Sequence, residues 1–280
     1  MTTASRPLAT FGLLSLATVA LGVFITVSQG APLALGLRNF GAWGAGALLA
    51  TGIAAVRWTG LQALVLRLSP VILLLTLFSA DMQGVRRWVD LGPVHLNAAM
   101  LVLPSAVVAL AGLAGKGPWP WGPALVCGAI LVAQPDASQV TSLAAASLVI
   151  VLLSPGRPAV RAAVVLTGLV LTAMAWTRRD PLPPVPEVEG VISLAFAYSP
   201  LLGVVASGLL LAVVVWPLMA LRSGEARLGA AALSALLAGW VLTPFVGAYP
   251  VPLLGLGMSP ILGVWLGVGM LARQARSDTA

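Results

Sequence analysis

The chain has 280 residues, of which 59% are apolar and 8% are charged, and its mean hydropathy is +1.03. A soluble domain carries about 25% charged residues, so this composition excludes a protein whose whole surface faces water. Long unbroken apolar runs also exclude a membrane barrel, because barrel strands alternate polar and apolar residues. The composition predicts an all-α, polytopic integral membrane protein in which residues 1–280 form a single helix bundle.

The net charge of +7 comes from basic residues that lie singly or in pairs between apolar segments. This pattern is typical of loops that set membrane topology and contact anionic head groups. We therefore expect membrane lipids as partners and no nucleic acid. Cys127 is the single cysteine and His95 the single histidine. These counts exclude a disulfide framework and argue against a zinc or haem site.

Apolar runs of about 20 residues, the length that crosses a bilayer, predict ten helices. The fifth and sixth are short, and they indicate either one re-entrant pair around residues 134–136 or two helices that extend into flanking polar residues. Pro200 predicts a kink in the eighth helix, because proline lacks a backbone donor and clashes with the preceding turn. The predicted helices cover residues 8–27, 33–56, 61–80, 96–114, 123–133, 140–153, 160–176, 191–220, 228–246 and 255–271.

The distribution of Lys and Arg predicts that both termini face the cytoplasm. On that topology six of the eight acidic residues lie outside, so every candidate polar site is expected on the outer face. Ten basic residues lie on the cytoplasmic side, namely Arg6, Arg57, Arg67, Lys116, Arg157, Arg161, Arg222, Arg227, Arg273 and Arg276. Five lie outside, namely Arg38, Arg86, Arg87, Arg178 and Arg179.

A charged and aromatic segment, which reads GVRRWVDLGP at residues 84–93, follows the third predicted helix. The paired guanidiniums of Arg86 and Arg87 suit the oxygens of a lipid-linked pyrophosphate, and Trp88 would lie at head-group level. A solvated loop in which an arginine pairs with Asp90 explains the same residues without a ligand. Both interpretations follow from the residues alone.

This segment resembles the GARRWIDLGP element of the SEDS family (shape, elongation, division and sporulation; the RodA and FtsW group). SEDS proteins are polytopic membrane proteins that polymerise the glycan strands of bacterial peptidoglycan. Other segments resemble family motifs in the same order. Arg38 corresponds to the basic residue that opens the second helix, and NAAM at residues 97–100 stands where the family has QPSE. The helix end beside NAAM carries His95, which is either a catalytic residue or a hydrogen-bonded cap or interface residue.

Two further motifs resemble the family pattern. QPD at residues 134–136 is similar to QPDLG, and Asp136 in it either contacts substrate or caps the following helix. VPLLGLGMSP at residues 251–260 is similar to LPFxSYGGSS, with Pro252, Gly257 and Ser259 matching. Glycine and serine in this segment equally suit close helix packing.

The connection at residues 177–190 departs most from the family, which has a long loop ending in PExHTDF. The resemblance implies that the aspartate of that segment is the catalytic base. Here Val191 or Ile192 stands at its position. Deprotonation of an attacking sugar hydroxyl requires a base, so Glu189, Glu187 and Asp180 are the catalytic candidates, with plain solvation as the alternative.

The resemblance implies a SEDS-type bundle in the bacterial cytoplasmic membrane that acts on lipid II, the lipid-linked peptidoglycan precursor. It also implies a class B penicillin-binding protein as a partner and leaves a divalent cation open as a cofactor. Three functions stay open: a glycosyltransferase, a non-catalytic relative that scaffolds its partner, and a small transporter or lipid translocase. The charges lie in loops and at helix ends, which argues against coupled transport. The predicted substrate-binding residues are Arg38, Arg86, Arg87, Trp88, Asp90, Asp136 and Ser259.

Overall fold

The computed structural model describes residues 5–92, 94–178, 180–221, 224 and 226–277. Pro93 of the GVRRWVDLGP segment, and Arg179 and Arg222 of the charge distribution, lie outside the described residues. Within the described residues the chain is helical almost throughout. Its helices are α1 (Ser5–Ser28), α2 (Leu33–Ala55), α3 (Leu61–Leu75), α4 (Ala98–Leu113), α5 (Trp121–Ala133), α6 (Ala137–Leu153), α7 (Pro158–Trp176), α8 (Val191–Tyr198), α9 (Pro200–Ala220), α10 (Ala226–Leu242) and α11 (Met258–Ser277).

Five segments are long and apolar enough to cross a bilayer. They are Arg6–Ser28, Leu61–Phe78, Pro158–Trp176, Pro200–Ala220 and Ala226–Phe245, and α4, α5 and α6 are shorter apolar helices. Because several such segments pack side by side, the chain is a polytopic membrane bundle. The predicted all-α fold class is confirmed.

The eighth predicted helix is divided in two at the position where a kink was expected. Ser199 adopts an extended backbone between α8 and α9, and Pro200 begins α9. Proline is well placed at the first position of a helix, where its missing N–H leaves no bond unmade. Pro200 therefore predicted the position of the break correctly. The structure has two separate helices there instead of one kinked helix.

A short hairpin interrupts the helical pattern between α3 and α4. Strand β1 (Trp88–Leu91) pairs with β2 (Val94–Asn97) in antiparallel register. Asn97 then caps α4, since its side-chain oxygen accepts a hydrogen bond from the Met100 N–H at 3.0 Å. For this reason α4 begins two residues later than predicted.

Helix α4 lies at the centre of the bundle, where it packs against α3, α10 and α11. It is buried around nearly its whole circumference, as expected for a helix that is apolar on every face. Close approach of α11 depends on Gly263, because an added Cβ would lie 1.9 Å from the carbonyl oxygen of Met100. The core is thus assembled around a short helix that contacts little lipid.

The connections sort to two ends of the bundle. The hairpin end carries β1–β2 and the connections α5–α6, α7–α8 and α10–α11, and Arg87 there contacts Gln134 and Asp180. The termini end carries the start of α1 and the last turns of α11, where Arg273 donates to the carbonyl of Val56 at 3.1 Å. This sorting agrees with the predicted topology. That the hairpin end faces outside stays a prediction.

Helices α5 and α6 are separate and join at the hairpin end. Asp136 accepts a hydrogen bond from the Gln139 N–H at 3.3 Å and caps α6. Helix α6 thereby includes polar residues before position 140, as the second of the two predicted arrangements required. The capping role of Asp136, one of its two predicted roles, is present in the structure.

Candidate functional site

Two neighbouring cavities open at the hairpin end. The first, named here the Arg38 cavity, has a volume of about 390 Å³ and is lined by Arg38, Asn39 and Glu187 among others. The second, the Glu189 cavity, has a volume of about 380 Å³ and is lined by Glu189 and Trp88 among others. Both volumes lie within the range of small-molecule sites, about 300–1,000 Å³. The residues that line both cavities form a ridge between them, namely His95, Val185, Val188, Leu256, Gly257 and Met258.

Main-chain hydrogen bonds hold the ridge together. The Val251 N–H donates to the Val188 carbonyl at 3.0 Å, and the Leu256 N–H donates to the Glu187 carbonyl at 2.9 Å. The segments on either side of these bonds are the α7–α8 connection and the α10–α11 connection. An added Cβ at Gly255 would lie 2.4 Å from the Val188 oxygen, so glycine is required for this approach.

A side chain from α2 extends this attachment. The amide of Asn39 donates to the Gly255 carbonyl at 3.1 Å, and Asn39 is 2% exposed. Its neighbour Arg38 is exposed at the start of the same helix and lines the adjacent cavity. Among the described residues Arg38 forms no ion pair, so its guanidinium is available to a ligand.

The two glutamates of the α7–α8 connection face different cavities. Glu187 lines the Arg38 cavity, and Glu189 lines the Glu189 cavity. A carboxylate oxygen of Glu189 accepts a hydrogen bond from the Val185 N–H at 2.5 Å. Burial raises the pKa of Glu189, and the Val185 bond offsets part of that effect. A glutamate of this kind suits proton transfer better than a fully solvated one does.

The third catalytic candidate, Asp180, belongs to a buried ionic cluster instead. Its carboxylate accepts from Arg87 Nη1 at 2.6 Å and from the Leu182 N–H at 3.1 Å. Arg87 also lies 3.6 Å from the Asp136 carboxylate. Asp180 lines neither cavity. Both of its oxygens accept hydrogen bonds from the protein, and its role as a base stays a prediction.

Arg87 joins three connections of the hairpin end. Besides the two carboxylates, it donates to the carbonyl of Gln134 at 3.2 Å and to the carbonyl of Pro135. Burial by itself would lower the pKa of Arg87, but Asp136 and Asp180 outweigh burial and raise it. Burial raises the pKa of Asp136, and Arg87 offsets part of this rise. The cluster therefore holds one cation between two carboxylates of unequal exposure.

The predicted pair of Arg86 and Arg87 is separated in the structure. Arg86 is exposed, and its Nη1 donates to the Leu77 carbonyl at 2.6 Å, whereas Arg87 is 6% exposed. Neighbouring residues of an extended backbone point to opposite faces, which accounts for the separation. The two guanidiniums are therefore held apart in the structure, and their joint binding of one pyrophosphate stays a prediction.

Two of the four remaining predicted residues line the Glu189 cavity. Trp88 and Ser259 line it, and the Ser259 hydroxyl accepts from the Asn97 N–H at 2.8 Å. Asp90 lies 2.6 Å from His95 Nδ1 across the hairpin and lines neither cavity. Asp136 is 3% exposed and contacts neither cavity. The structure thus places Trp88 and Ser259 together and leaves the two aspartates apart from them.

Two features of the site were missed by the sequence interpretation. His95 lines both cavities from strand β2, whereas the sequence pattern predicted a helix end at this position. Tyr249 lies beside the ionic cluster, where burial raises its pKa to about 12. Its ring packs edge-on against Trp176 with centroids 5.8 Å apart. An aromatic that stabilises a loop has no distinct sequence pattern.

The position of the family aspartate is occupied by the start of α8. Val191 is fully buried there and Ile192 is partly buried. Neither side chain could supply a proton acceptor. Any base in this region must come from the connection that precedes α8.

A metal site built by the protein alone would need several ligating side chains in one place. The described residues contain no group of three or more His, Cys, Asp or Glu side chains arranged to hold a metal ion. These residues do not form an all-protein metal site, and no chemical step is assigned to a metal ion.

Comparison with known proteins places this geometry in a known fold. No family model matches the chain, and no curated protein matches it. Among solved structures, the rod shape determining protein RodA of Thermus thermophilus superposes with a TM-score of 0.71 at 20% identity, covering 97% of each chain. The chain has the RodA fold. An alanine mutant of that RodA gives a TM-score of 0.70 at 21% identity, covering 97% of this chain and 98% of the other.

A further match extends the comparison to an assembly. A structure described as showing the coordination of polymerization and crosslinking by a peptidoglycan synthase complex gives a TM-score of 0.65 at 22% identity. It covers 96% of this chain and 97% of that one. The predicted resemblance to the SEDS family is confirmed at the level of the RodA fold.

Proposed function

We propose that this protein is a SEDS-type component of bacterial cell-wall assembly that binds lipid-linked peptidoglycan precursor at the hairpin end. One observation carries the proposal: two cavities of similar volume meet at a single ridge, and each has a carboxylate in its lining. Extension of a glycan strand joins two saccharides, so both partners must be held side by side. The RodA fold supports this function.

The lining residues favour one orientation of the substrates. The unpaired Arg38 guanidinium suits the pyrophosphate of the glycosyl donor, because its planar fork matches phosphate oxygens. The attacking hydroxyl of the acceptor would then lie in the Glu189 cavity. Bond formation would occur at the ridge, close to His95.

Glu189 is the proposed general base. It would take the proton of the acceptor hydroxyl as oxygen attacks the anomeric carbon, and the donor pyrophosphate would leave with the bonding electrons. Burial raises its pKa, which strengthens it as a proton acceptor at neutral pH. Glu187 lines the Arg38 cavity, on the donor side of the ridge, and not the cavity assigned to the acceptor hydroxyl. Glu189 is therefore the better candidate of the two.

A non-catalytic role is the second candidate, and it would make the protein a scaffold for a class B penicillin-binding protein. It is favoured by the buried Val191 at the family's aspartate position. It is also favoured by the hydrogen bond that already engages Glu189. A transporter or lipid translocase gains no comparable support, since the ion pairs of the described residues all lie at the hairpin end.

Two measurements on purified protein distinguish these functions. Glycan-strand formation from lipid II, with and without a class B penicillin-binding protein, should be lowered about 10²–10⁴-fold by Glu189→Gln. Glu187→Gln is the matched control and should retain most activity. Lipid II binding should fall at least about tenfold in Arg38→Gln, because a charge-assisted contact is lost. Binding without polymerisation by the unaltered protein would favour the scaffold, and absence of binding would overturn the proposal.

A further inference from the structure

A cavity of different character lies at the termini end, between the α4–α5 and α6–α7 connections. It has a volume of about 240 Å³, and we name it the basic cavity because Arg157 and Arg161 line it. The aliphatic part of Arg161 lies over Gly156, 3.6 Å from an added Cβ. Lys116, between the lining residues Gly115 and Gly117 in the sequence, is exposed and is not itself part of the lining.

The positive charge of this cavity is uncompensated. Among the described residues neither Arg157 nor Arg161 forms an ion pair, and no carboxylate lines the cavity. Asp136 is the single acidic residue between positions 94 and 178, and it lies at the opposite end of α5 and α6. A cavity with two unpaired guanidiniums favours an anion with several oxygen acceptors.

A narrow apolar groove of about 20 Å³, whose lining is mostly buried, continues from the basic cavity between α5, α6 and α7, so an acyl chain would lie along it rather than inside it. Trp121 lines both the cavity and the groove. On α7 and its N-cap the lining positions are 157, 160, 161, 164, 168 and 171, which, apart from the adjacent pair 160 and 161, recur every three or four residues and so follow one side of the helix. This stripe is about 21 Å long at 1.5 Å per residue, enough to follow one leaflet of about 15 Å.

Aromatic residues place the mouth of the cavity at the membrane surface. Trp121 is 6% exposed beneath the mouth, and Trp119 is partly exposed beside it. The Trp119 ring stacks with Arg67, whose guanidinium carbon lies 4.9 Å from the ring centroid. Tryptophan at this position is typical of the head-group region.

We propose that an anionic glycerophospholipid occupies this site. Its phosphate would lie between Arg157 and Arg161, and one acyl chain would follow the apolar groove toward Leu171. The charge selects an anionic head group, and the groove distinguishes a lipid from a soluble phosphate. The site is separate from the precursor cavities, so it does not depend on the proposed function.

Native mass spectrometry of the purified full-length protein tests this site directly. The protein should retain dioleoyl phosphatidylglycerol in preference to dioleoyl phosphatidylcholine. The double change Arg157→Gln and Arg161→Gln should weaken phosphatidylglycerol retention at least about tenfold. Arg227→Gln is the matched control, because this arginine lies at the same end and outside the cavity. An equal loss in the control would show a general charge effect and overturn the site.

A second variant tests the shape of the cavity without removing charge. An added Cβ at Gly115 has no heavy atom within 4 Å, so Gly115→Leu should fit and fill the mouth. We expect it to displace the lipid while the melting temperature stays within a few degrees. Glycerol phosphate, which lacks acyl chains, should not compete with the lipid at equal concentration. Equal binding of glycerol phosphate, equal retention of both phospholipids, or unchanged retention in Gly115→Leu would overturn the proposal.

Discussion

Arg87 and Asp180 are 93 residues apart in the sequence, and their side chains meet at 2.6 Å in a buried ionic cluster. The contact joins the strand hairpin to the connection that carries Glu187 and Glu189. Because Arg87 also contacts the α5–α6 turn, one side chain fixes three connections. We therefore regard Arg87 as a positioning residue for the cavities.

Removal of the Arg87 charge should destabilise the protein strongly. Arg87→Gln leaves two carboxylates, one of them 3% exposed, without their cation. Loss of one partner of a buried ion pair costs about 3–5 kcal/mol. Thermal unfolding in detergent measures this effect, with Asp90→Asn as the control because its pair with His95 is exposed and worth about 0–1 kcal/mol. A similar melting temperature for the two variants would contradict the positioning role.

The pH dependence of that variant should have a defined sign. Burial raises the pKa of Asp136 above its unfolded value, so the folded state binds this proton more tightly. Stability from this group is fully present below the unfolded pKa and is lost as pH rises through the folded pKa. Without Arg87 the folded pKa rises further, so mild acid should restore part of the stability of Arg87→Gln. Unfolding curves measured across pH would show this, and a loss of stability on acidification would exclude it.

Polymerisation activity should decrease as the pH is lowered, and the decrease should begin at a higher pH than for an enzyme whose base is an ordinary, solvated glutamate. A base must be deprotonated to act, and burial raises the pKa of Glu189. The acidic limb of the pH–rate profile should therefore lie above the ordinary glutamate pKa of about 4.3. Glu187→Gln should leave this limb in place. A limb at the ordinary glutamate pKa would remove Glu189 from the role of base.

The ridge between the cavities should be sensitive to a single methyl group. Gly255→Ala places a Cβ 2.4 Å from the Val188 oxygen, which would force the two backbone segments apart. We expect lipid II affinity to fall at least about tenfold, since both cavities share this ridge. Gly44→Ala in α2 is the control, because an added Cβ there has no heavy atom within 4 Å. Unchanged binding in Gly255→Ala would show that the ridge does not shape the site.

Membrane sidedness can be tested with single cysteines in a background that lacks Cys127. Labels at Gln83 and Thr177 report the hairpin end, and a label at Gly115 reports the termini end. The charge distribution predicts that an impermeant reagent labels the first two in intact cells and the third only after lysis. The reverse pattern would place the precursor cavities inside the cell and overturn the proposed function.

The helix pattern and the break at Pro200 were predictable, because apolar length and proline chemistry act locally. Asp136 as a cap was one of two predicted roles for the same reason. The separation of Arg86 from Arg87 was not predictable. It depends on the hairpin that begins at Trp88, and a pattern of apolar helices does not indicate a hairpin. The division of Glu187 and Glu189 between two cavities depends on the distant Gly255, and no local signal connects those residues.

The ridge is made of peptide groups, and this has a consequence for divergence. Bonds from Val251 to Val188 and from Leu256 to Glu187 use main-chain atoms that nearly every amino acid supplies. Side chains along both segments can therefore be exchanged while the partition between the cavities persists, provided that Gly255 stays small. Related proteins can therefore lose the recognisable sequence motif in these two segments and still keep the two cavities that the ridge separates.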